Sequence, residues 1–132
     1  MKYLFDTMAL LALFNDENGA DTIQHLLEQE KDIFVSAITL TELYYLYAQR
    51  RGRKIAQERV DQVRYNLKVI SLGEEESIQA GKYKLKKIPI ADAVIAAAAE
   101  SIGATVVTDD PHFEKTNIPI KQFRRRHKNT SK

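Results

Sequence analysis

Five acidic side chains stand where short apolar segments end or where helices are predicted to begin: Asp6, Glu42, Asp92, Asp109 and Asp110. Asp6, Asp109 and Asp110 directly follow predicted strands. Glu42 and Asp92 fall in the predicted first turns of two helices. In an open parallel α/β sheet, ligands bind beyond the carboxyl ends of the strands. We therefore expect these carboxylates to lie close together at one edge of a sheet.

Converging carboxylates repel one another, which leaves two outcomes. Either some of them take up protons because their pKa values are raised, or a cation neutralises them. The chain has no cysteine, and ligands that are only oxygens favour a hard cation such as Mg²⁺ or Mn²⁺. Mg²⁺ keeps several waters and completes its shell with substrate phosphate. A site of this kind suits phosphodiester hydrolysis.

Each acid also has a structural explanation when it is taken alone. Asp6 is suited to cap a helix, and Glu42 has the spacing of a capping box. Asp92 is suited to the positive end of a helix dipole, and Asp109 and Asp110 are residues that commonly form turns. Capping alone does not require acids at all of these places, because Ser, Thr and Asn cap as well as Asp does. Their combination therefore favours a site.

Short apolar segments alternate with amphipathic helical patterns along the chain. The predicted strands are Lys2–Phe5, Ile33–Ser36, Val69–Leu72, Thr105–Thr108 and Ile118–Ile120. The predicted helices are Met8–Asn15, Ala20–Glu30, Leu40–Arg51, Lys54–Asn66, Glu74–Leu85 and Ile90–Ile102. This alternation predicts an α/β sandwich around a mostly parallel sheet of four to five short strands. Pro119 places the last strand at an edge, because proline cannot donate to a central ladder.

Length and composition limit the class of protein. The chain has 132 residues, the size of one domain, which we place at residues 1–126, with a frayed basic tail at 127–132. The absence of cysteine excludes a disulfide scaffold, a zinc-thiolate site and a cysteine nucleophile. No apolar segment approaches the roughly 20 residues of a membrane span, and Asp6 comes too early for a signal peptide. We expect a soluble, cytoplasmic protein with no membrane partner.

Four segments, in order and spacing, resemble the PIN-domain family, and within it the VapC-type toxins of prokaryotic toxin–antitoxin pairs. They are Phe5-Asp6-Thr7, Thr41-Glu42-Leu43, Ile90-Ala91-Asp92-Ala93 with the alanine-rich stretch that follows, and Thr108-Asp109-Asp110-Pro111-His112-Phe113. No single segment is specific. The resemblance covers nearly the whole chain and implies a three-layer α/β/α sandwich.

The resemblance also implies a Mg²⁺- or Mn²⁺-dependent endoribonuclease. By matching position, the catalytic and metal-binding quartet would be Asp6, Glu42, Asp92 and Asp110, with Thr7, Thr108 and Asp109 as supporting residues. Asp109 falls on the variable position of the family pattern, so Asp110 takes the fourth place. In-line attack of water on phosphorus would leave a 5′-phosphate and a 3′-hydroxyl. The family further implies a homodimer and an antitoxin partner that blocks the active-site groove.

Basic residues are the candidate contacts to RNA phosphates. The seven basic residues of 115–132 have no acid among them, whereas the first 114 residues carry 13 basic and 18 acidic groups, a net of −5. We expect RNA contacts from Lys82, Lys84, Lys86, Lys87, Arg124, Arg125 and Arg126. For any one of these residues, an ordinary solvated surface position is the alternative.

Other functions have weaker support. A response-regulator receiver domain needs an aspartate at the end of the third strand, where Leu72-Gly73 stand. A haloacid-dehalogenase-type phosphatase needs a second aspartate at position 8, which is Met8. A metal-free ribonuclease needs a histidine pair, which nothing in the sequence brings together. A housekeeping RNA-processing nuclease and a non-catalytic PIN-like binding module remain open.

Overall fold

Five short parallel strands form the centre of the molecule. In the computed structural model, which describes residues 1–125, the strands are β1 (Tyr3–Phe5), β2 (Ile33–Ser36), β3 (Lys68–Ile70), β4 (Thr105–Val107) and β5 (Ile120–Lys121). Their order in the sheet is β3-β2-β1-β4-β5, and every neighbouring pair is parallel. Strand β1 is therefore central, and β5 lies at an edge as Pro119 predicts.

Six helices within residues 1–125 cover the two faces of this sheet. They are α1 (Thr7–Phe14), α2 (Ala20–Gln29), α3 (Ala37–Arg51), α4 (Arg53–Asn66), α5 (Glu74–Lys84) and α6 (Ile90–Ile102), and a 3₁₀ turn (Pro111–Lys115) follows β4. Helices α1 and α3 directly follow the carboxyl ends of β1 and β2, and α6 runs back to the amino end of β4, so all three begin at the carboxyl edge of the strands.

The strands separate two hydrophobic layers. Side chains alternate along a strand, so Phe5 and Val107 face the layer formed with α1 to α4, while Leu4 and Val106 face α5 and α6. All four are fully buried. The predicted three-layer α/β/α sandwich is confirmed.

The buried alanines of α6 let this helix lie close against the sheet and α5. Pro89 precedes it, and Gly103 ends it with a positive φ of 66° that favours glycine. The predicted bounds of this helix are correct. Its first turn carries Asp92 to the carboxyl edge.

Helix α3 begins earlier than predicted. Ser36 caps it through a hydrogen bond from the Ile38 N–H to Ser36 Oγ, so the helix starts at Ala37 rather than at Leu40. Glu42 is consequently in the second turn, and the expected first-turn placement with its capping box is wrong.

Strand β2 has the predicted bounds, and the ends of the other predicted helices and strands lie within two residues of the observed ones. Arg126 and the predicted tail at 127–132 lie outside the described residues. Within residues 1–125, no helix is long and apolar enough to cross a membrane.

Candidate active site

Asp6 ends the central strand and is buried, with 2% of its surface exposed. Its Oδ1 accepts a hydrogen bond of 2.8 Å from the Ala9 N–H, which caps α1. Its Oδ2 accepts a short hydrogen bond from the Thr108 hydroxyl. Burial raises the pKa of Asp6 to about 6, although these two hydrogen bonds act in the opposite direction. A carboxylate held in one orientation thus lies at the middle of the carboxyl edge.

Thr108 links the ends of two neighbouring strands. Besides donating to Asp6, its fully buried hydroxyl accepts a 2.9 Å hydrogen bond from the Asp110 N–H. The side chain therefore fixes both the Asp6 carboxylate after β1 and the path of the chain after β4.

Asp92, Asp110 and His112 form a close group beside Asp6. His112 Nδ1 lies 2.7 Å from Asp110 Oδ1 and 3.4 Å from Asp92 Oδ2. The His112 N–H also donates to Asp110 Oδ1 at 2.8 Å. Each residue offers a ligand atom within 4.8 Å of the others, which is close enough to share one metal ion.

The electrostatics of this group show that the acids converge. Burial, a hydrogen bond with Asp110, and the negative charges of Asp110, Asp6 and Glu42 together raise the pKa of Asp92 to about 7. Burial also acts to raise the pKa of Asp110, but hydrogen bonds from the His112 N–H, Asp92 and the His112 ring hold it below its usual value. The structure therefore brings the four predicted acids together, and we call Asp6, Glu42, Asp92 and Asp110 the acidic group.

Glu42 reaches the acidic group from the second turn of α3. Its Oε1 accepts a 2.5 Å hydrogen bond from the Thr7 hydroxyl, which also lies 3.2 Å from the hydroxyl oxygen of Thr39. Thr7 thus orients Glu42 much as Thr108 orients Asp6. Both threonines contact carboxylates, as a supporting role would require.

Asp109 has a different environment from Asp110. Its two carboxylate oxygens accept hydrogen bonds from the Phe123 and Arg124 backbone N–H groups, at 3.2 and 2.9 Å. Arg124 Nε lies 3.8 Å from the same carboxylate. Asp109 fastens the segment after β5, whereas Asp110 belongs to the acidic group.

The donor set fits a hard divalent cation. Asp6, Glu42, Asp92 and Asp110 offer carboxylate oxygens. Burial and like charges raise the pKa values of Asp6 and Asp92, and a bound cation would offset this cost of holding the carboxylates ionised. His112 would add one nitrogen, which Mn²⁺ accepts more readily than Mg²⁺ does.

Residues 3–119 match the family model described as the PIN domain. The chain belongs to the PIN-domain family. A comparison with curated proteins gives no match.

Solved structures of toxin–antitoxin proteins share this PIN fold. A chain of the DNA-bound VapBC complex from Salmonella typhimurium is 22% identical, with a TM-score of 0.77 over 93% of this chain and 98% of that chain. A chain of VapBC2 from Rickettsia felis, bound to a promoter DNA fragment, is 21% identical, with a TM-score of 0.75 over 93% and 99%. VapC20 from Mycobacterium tuberculosis, a toxin that cleaves the sarcin-ricin loop, is 18% identical, with a TM-score of 0.74 over 89% and 96%.

The basic residues around this PIN domain differ in their availability. Lys82, Lys84 and Lys87 are exposed, and so is Lys86, whose Nζ donates to the Lys115 carbonyl at 3.3 Å. Arg124 is paired with Asp109, and Arg125 forms a short ion pair with Asp21. Arg126 lies outside the described residues. RNA binding by all of them stays a prediction.

His112 is absent from the predicted quartet, yet its ring lies between Asp92 and Asp110. The sequence signal was its place two residues after Asp110. That spacing lets Asp110 cap the 3₁₀ turn and brings the ring back onto the same carboxylate.

Proposed function

We propose that this PIN domain is a divalent-metal-dependent endoribonuclease and the toxin of a VapBC-type toxin–antitoxin pair. The observation that carries the proposal is the convergence of four acids from separate elements on one site, where Asp92, Asp110 and His112 lie close enough to share one metal ion. Membership of the PIN-domain family and likeness to an RNA-cleaving toxin support it.

Asp6, Glu42, Asp92 and Asp110 would hold the Mg²⁺ or Mn²⁺. Such an ion supplies Lewis-acid activation of water and offsets charge on the phosphate. The chain's own contribution is orientation of the ligands. Thr108 and the Ala9 N–H fix the two oxygens of Asp6, Thr7 fixes Glu42, and His112 fixes Asp110.

Hydrolysis would leave a 5′-phosphate and a 3′-hydroxyl, because activated water is the nucleophile and the 2′-hydroxyl takes no part. A single 2′-deoxy substitution at the cleaved bond should therefore leave cleavage intact. Analysis of the product ends checks this assignment, and a 2′,3′-cyclic phosphate would contradict it.

The partners proposed are an RNA substrate, a second copy of the chain and an antitoxin. Structures of toxin–antitoxin complexes among the neighbours support the antitoxin. A small DNA-binding protein encoded next to this chain, whose co-expression suppresses cleavage, would support the toxin. Without such a neighbour, a housekeeping RNA-processing nuclease becomes the better assignment.

The decisive experiment incubates the purified protein with structured RNA in Mg²⁺ and then with excess chelator. Asp6→Asn removes the charge but keeps the helix cap, since Asn caps as well as Asp does. Asp61→Asn is the matched control, because Asp61 is a surface residue 3.5 Å from Arg64. We expect cleavage to require metal and Asp6 but not Asp61. Cleavage that survives the chelator, or an Asp6→Asn variant as active as wild type, would contradict the proposal.

A further inference from the structure

A groove of about 450 Å³ runs between α1 and α3. Met8 and Leu11 line it from α1, and Leu46 and Tyr47 line it from α3. Tyr47 is buried and forms the floor, whereas Met8 is 43% exposed at one end. The groove therefore offers an apolar surface that solvent can reach.

Two hydrogen bonds define the direction of this α1–α3 groove. Near the carboxyl edge, the Thr7 hydroxyl donates to Glu42. Farther down, the Tyr47 hydroxyl donates to Asn15 Oδ1 at 2.9 Å. Met8 follows Thr7 in the chain, and Leu46 lies about one helical turn after Glu42, so the end of the groove that Met8 and Leu46 line is the end nearest to the Thr7–Glu42 hydrogen bond. From there the groove leads away along α3.

Arg50 and Arg51 line the far end of the groove. Eight residues of helix separate Arg50 from Glu42, which is about 12 Å along the axis. Both arginines are exposed, and within residues 1–125 neither forms an ion pair with a carboxylate. Arg124 and Arg125, by contrast, are paired.

We propose that the α1–α3 groove binds the single-stranded RNA next to the scissile bond, with Arg50 and Arg51 contacting its phosphates. Met8 and Leu46 would pack against a base. The inference rests on the proposed ribonuclease function and adds a binding site outside the carboxylates. A few nucleotides of a single strand cover the distance, since phosphates along a stacked strand are about 3.4 Å apart.

The charge pattern favours RNA over a protein segment. Single-strand binding sites combine cations that follow the backbone with surfaces on which bases pack. The groove has both, in the order that a strand leaving the acidic group would meet them. Glu17 is the one acid that lines it, and two arginines outweigh it.

The test measures RNA affinity against salt in the Asp92→Asn background, so that RNA is not consumed. The groove pair, Arg50→Ala/Arg51→Ala, is compared with Arg53→Ala/Lys54→Ala, which removes two adjacent exposed cations outside the groove. Fluorescence anisotropy of a labelled single-stranded RNA reports the dissociation constant. Two lost phosphate contacts should reduce the slope of log affinity against log salt by about 1.4, and the control pair should change it by less than half as much.

A second measurement uses active protein with the same pairs. The groove pair should raise KM about tenfold for a long oligonucleotide and by a much smaller factor for a dinucleotide, which is too short to reach the arginines. Two results would overturn the inference. One is an equal slope of log affinity against log salt in the groove pair and the control pair, and the other is an equal increase of KM for the long oligonucleotide and the dinucleotide. A groove pair that changes the mass in light scattering, with an unchanged salt slope, would show a protein interface instead.

The two proposals fail separately. If the wild-type protein cuts no RNA but the groove pair still lowers the slope of log affinity against log salt, the ribonuclease function fails and the groove assignment stands. If wild type cuts RNA in a Mg²⁺-dependent way and the groove pair binds as wild type does, only the groove assignment fails.

Discussion

The carboxylates of the acidic group and the basic surface formed by Lys82, Lys84 and Lys87 carry opposite charges. They are also built in opposite ways. Asp6, Asp92 and Asp110 are mostly buried, and hydrogen bonds from the chain hold Asp6 and Asp110 in place. The lysines at 82, 84 and 87 are exposed, and no hydrogen bond or ion pair within residues 1–125 holds their side chains.

This difference matches what each region would do in the proposed ribonuclease. Groups that act on a reacting phosphate must be fixed before the substrate arrives, because orientation supplies much of the rate. Groups that attract a polyanion act through charge at several ångströms and need no single geometry. We therefore expect substitutions in the acidic group to affect rate, and substitutions on the basic surface to affect affinity.

The largest contrast should come from two adjacent aspartates. Asp110→Asn should reduce cleavage at least 100-fold with little change in stability, because it removes a ligand. Asp109→Ala should lower the free energy of unfolding by about 2 kcal/mol, because the Phe123 and Arg124 N–H groups lose their acceptor. Cleavage assays and urea unfolding measure the two effects. Equal loss of activity in both variants at a temperature where both are folded would remove the distinction.

Thr108→Val should have the next largest effect. Valine has nearly the same shape but cannot donate to Asp6 or accept from the Asp110 N–H. Loss of such supporting contacts around a metal site costs 10- to 100-fold, so we expect kcat to fall about tenfold. Thr108→Ser, which keeps the hydroxyl, is the control and should retain most of the activity. An active Thr108→Val variant would mean that Asp6 needs no orientation.

The repulsion among the acids should appear as a pH dependence of stability in chelator. The pKa of Asp92 in the folded protein, about 7, lies above the unfolded value of 3.8. The folded state therefore binds the proton more tightly, and stability is lost as pH rises between these values. The loss should be about 1 kcal/mol, since water screens a partly exposed group.

Asp92→Asn is the variant that tests this pH dependence, because it cannot ionise. Urea unfolding in chelator at pH 5 and pH 7.5 should show a smaller decline for Asp92→Asn than for wild type. Mg²⁺ should restore stability to wild type at the higher pH. Parallel pH profiles for the two proteins would show that Asp92 is not under this repulsion.

The smallest effect should come from the lysines. Lys82→Ala/Lys84→Ala removes two exposed charges in the last turn of α5. We expect an increase in KM of about two- to threefold at physiological salt and an unchanged kcat, measured on a long RNA. A fall in kcat instead would place these lysines among the groups that need fixed geometry.

Local patterns in the sequence predicted most of the fold. Helix α6 has correct bounds because Pro89 and Gly103 punctuate both of its ends. The start of α3 was missed because Thr39 and Glu42 have capping-box spacing, while Ser36 also reads as the end of a strand. The actual cap depends on where the chain leaves β2, which is a tertiary property.

The acids of the candidate site were found from their positions at strand and helix ends. The different roles of Asp109 and Asp110 could not be derived in this way. Asp109 is held by Phe123 and Arg124, 14 and 15 residues later, and no local pattern reports such a pairing. The position of the His112 ring depends on the geometry of the short turn after Asp110, and no local sequence pattern reports that geometry.

The strand order has a consequence for synthesis of the protein. Strand β1 emerges from the ribosome before β4, with which it pairs, and Asp6 receives its hydrogen bond from Thr108, 102 residues later. Contacts so distant in sequence form late. A nascent chain that has not yet exposed β4 therefore has no assembled acidic group. The proposed ribonuclease would therefore be unable to attack RNA until β4 and Thr108 have left the ribosome.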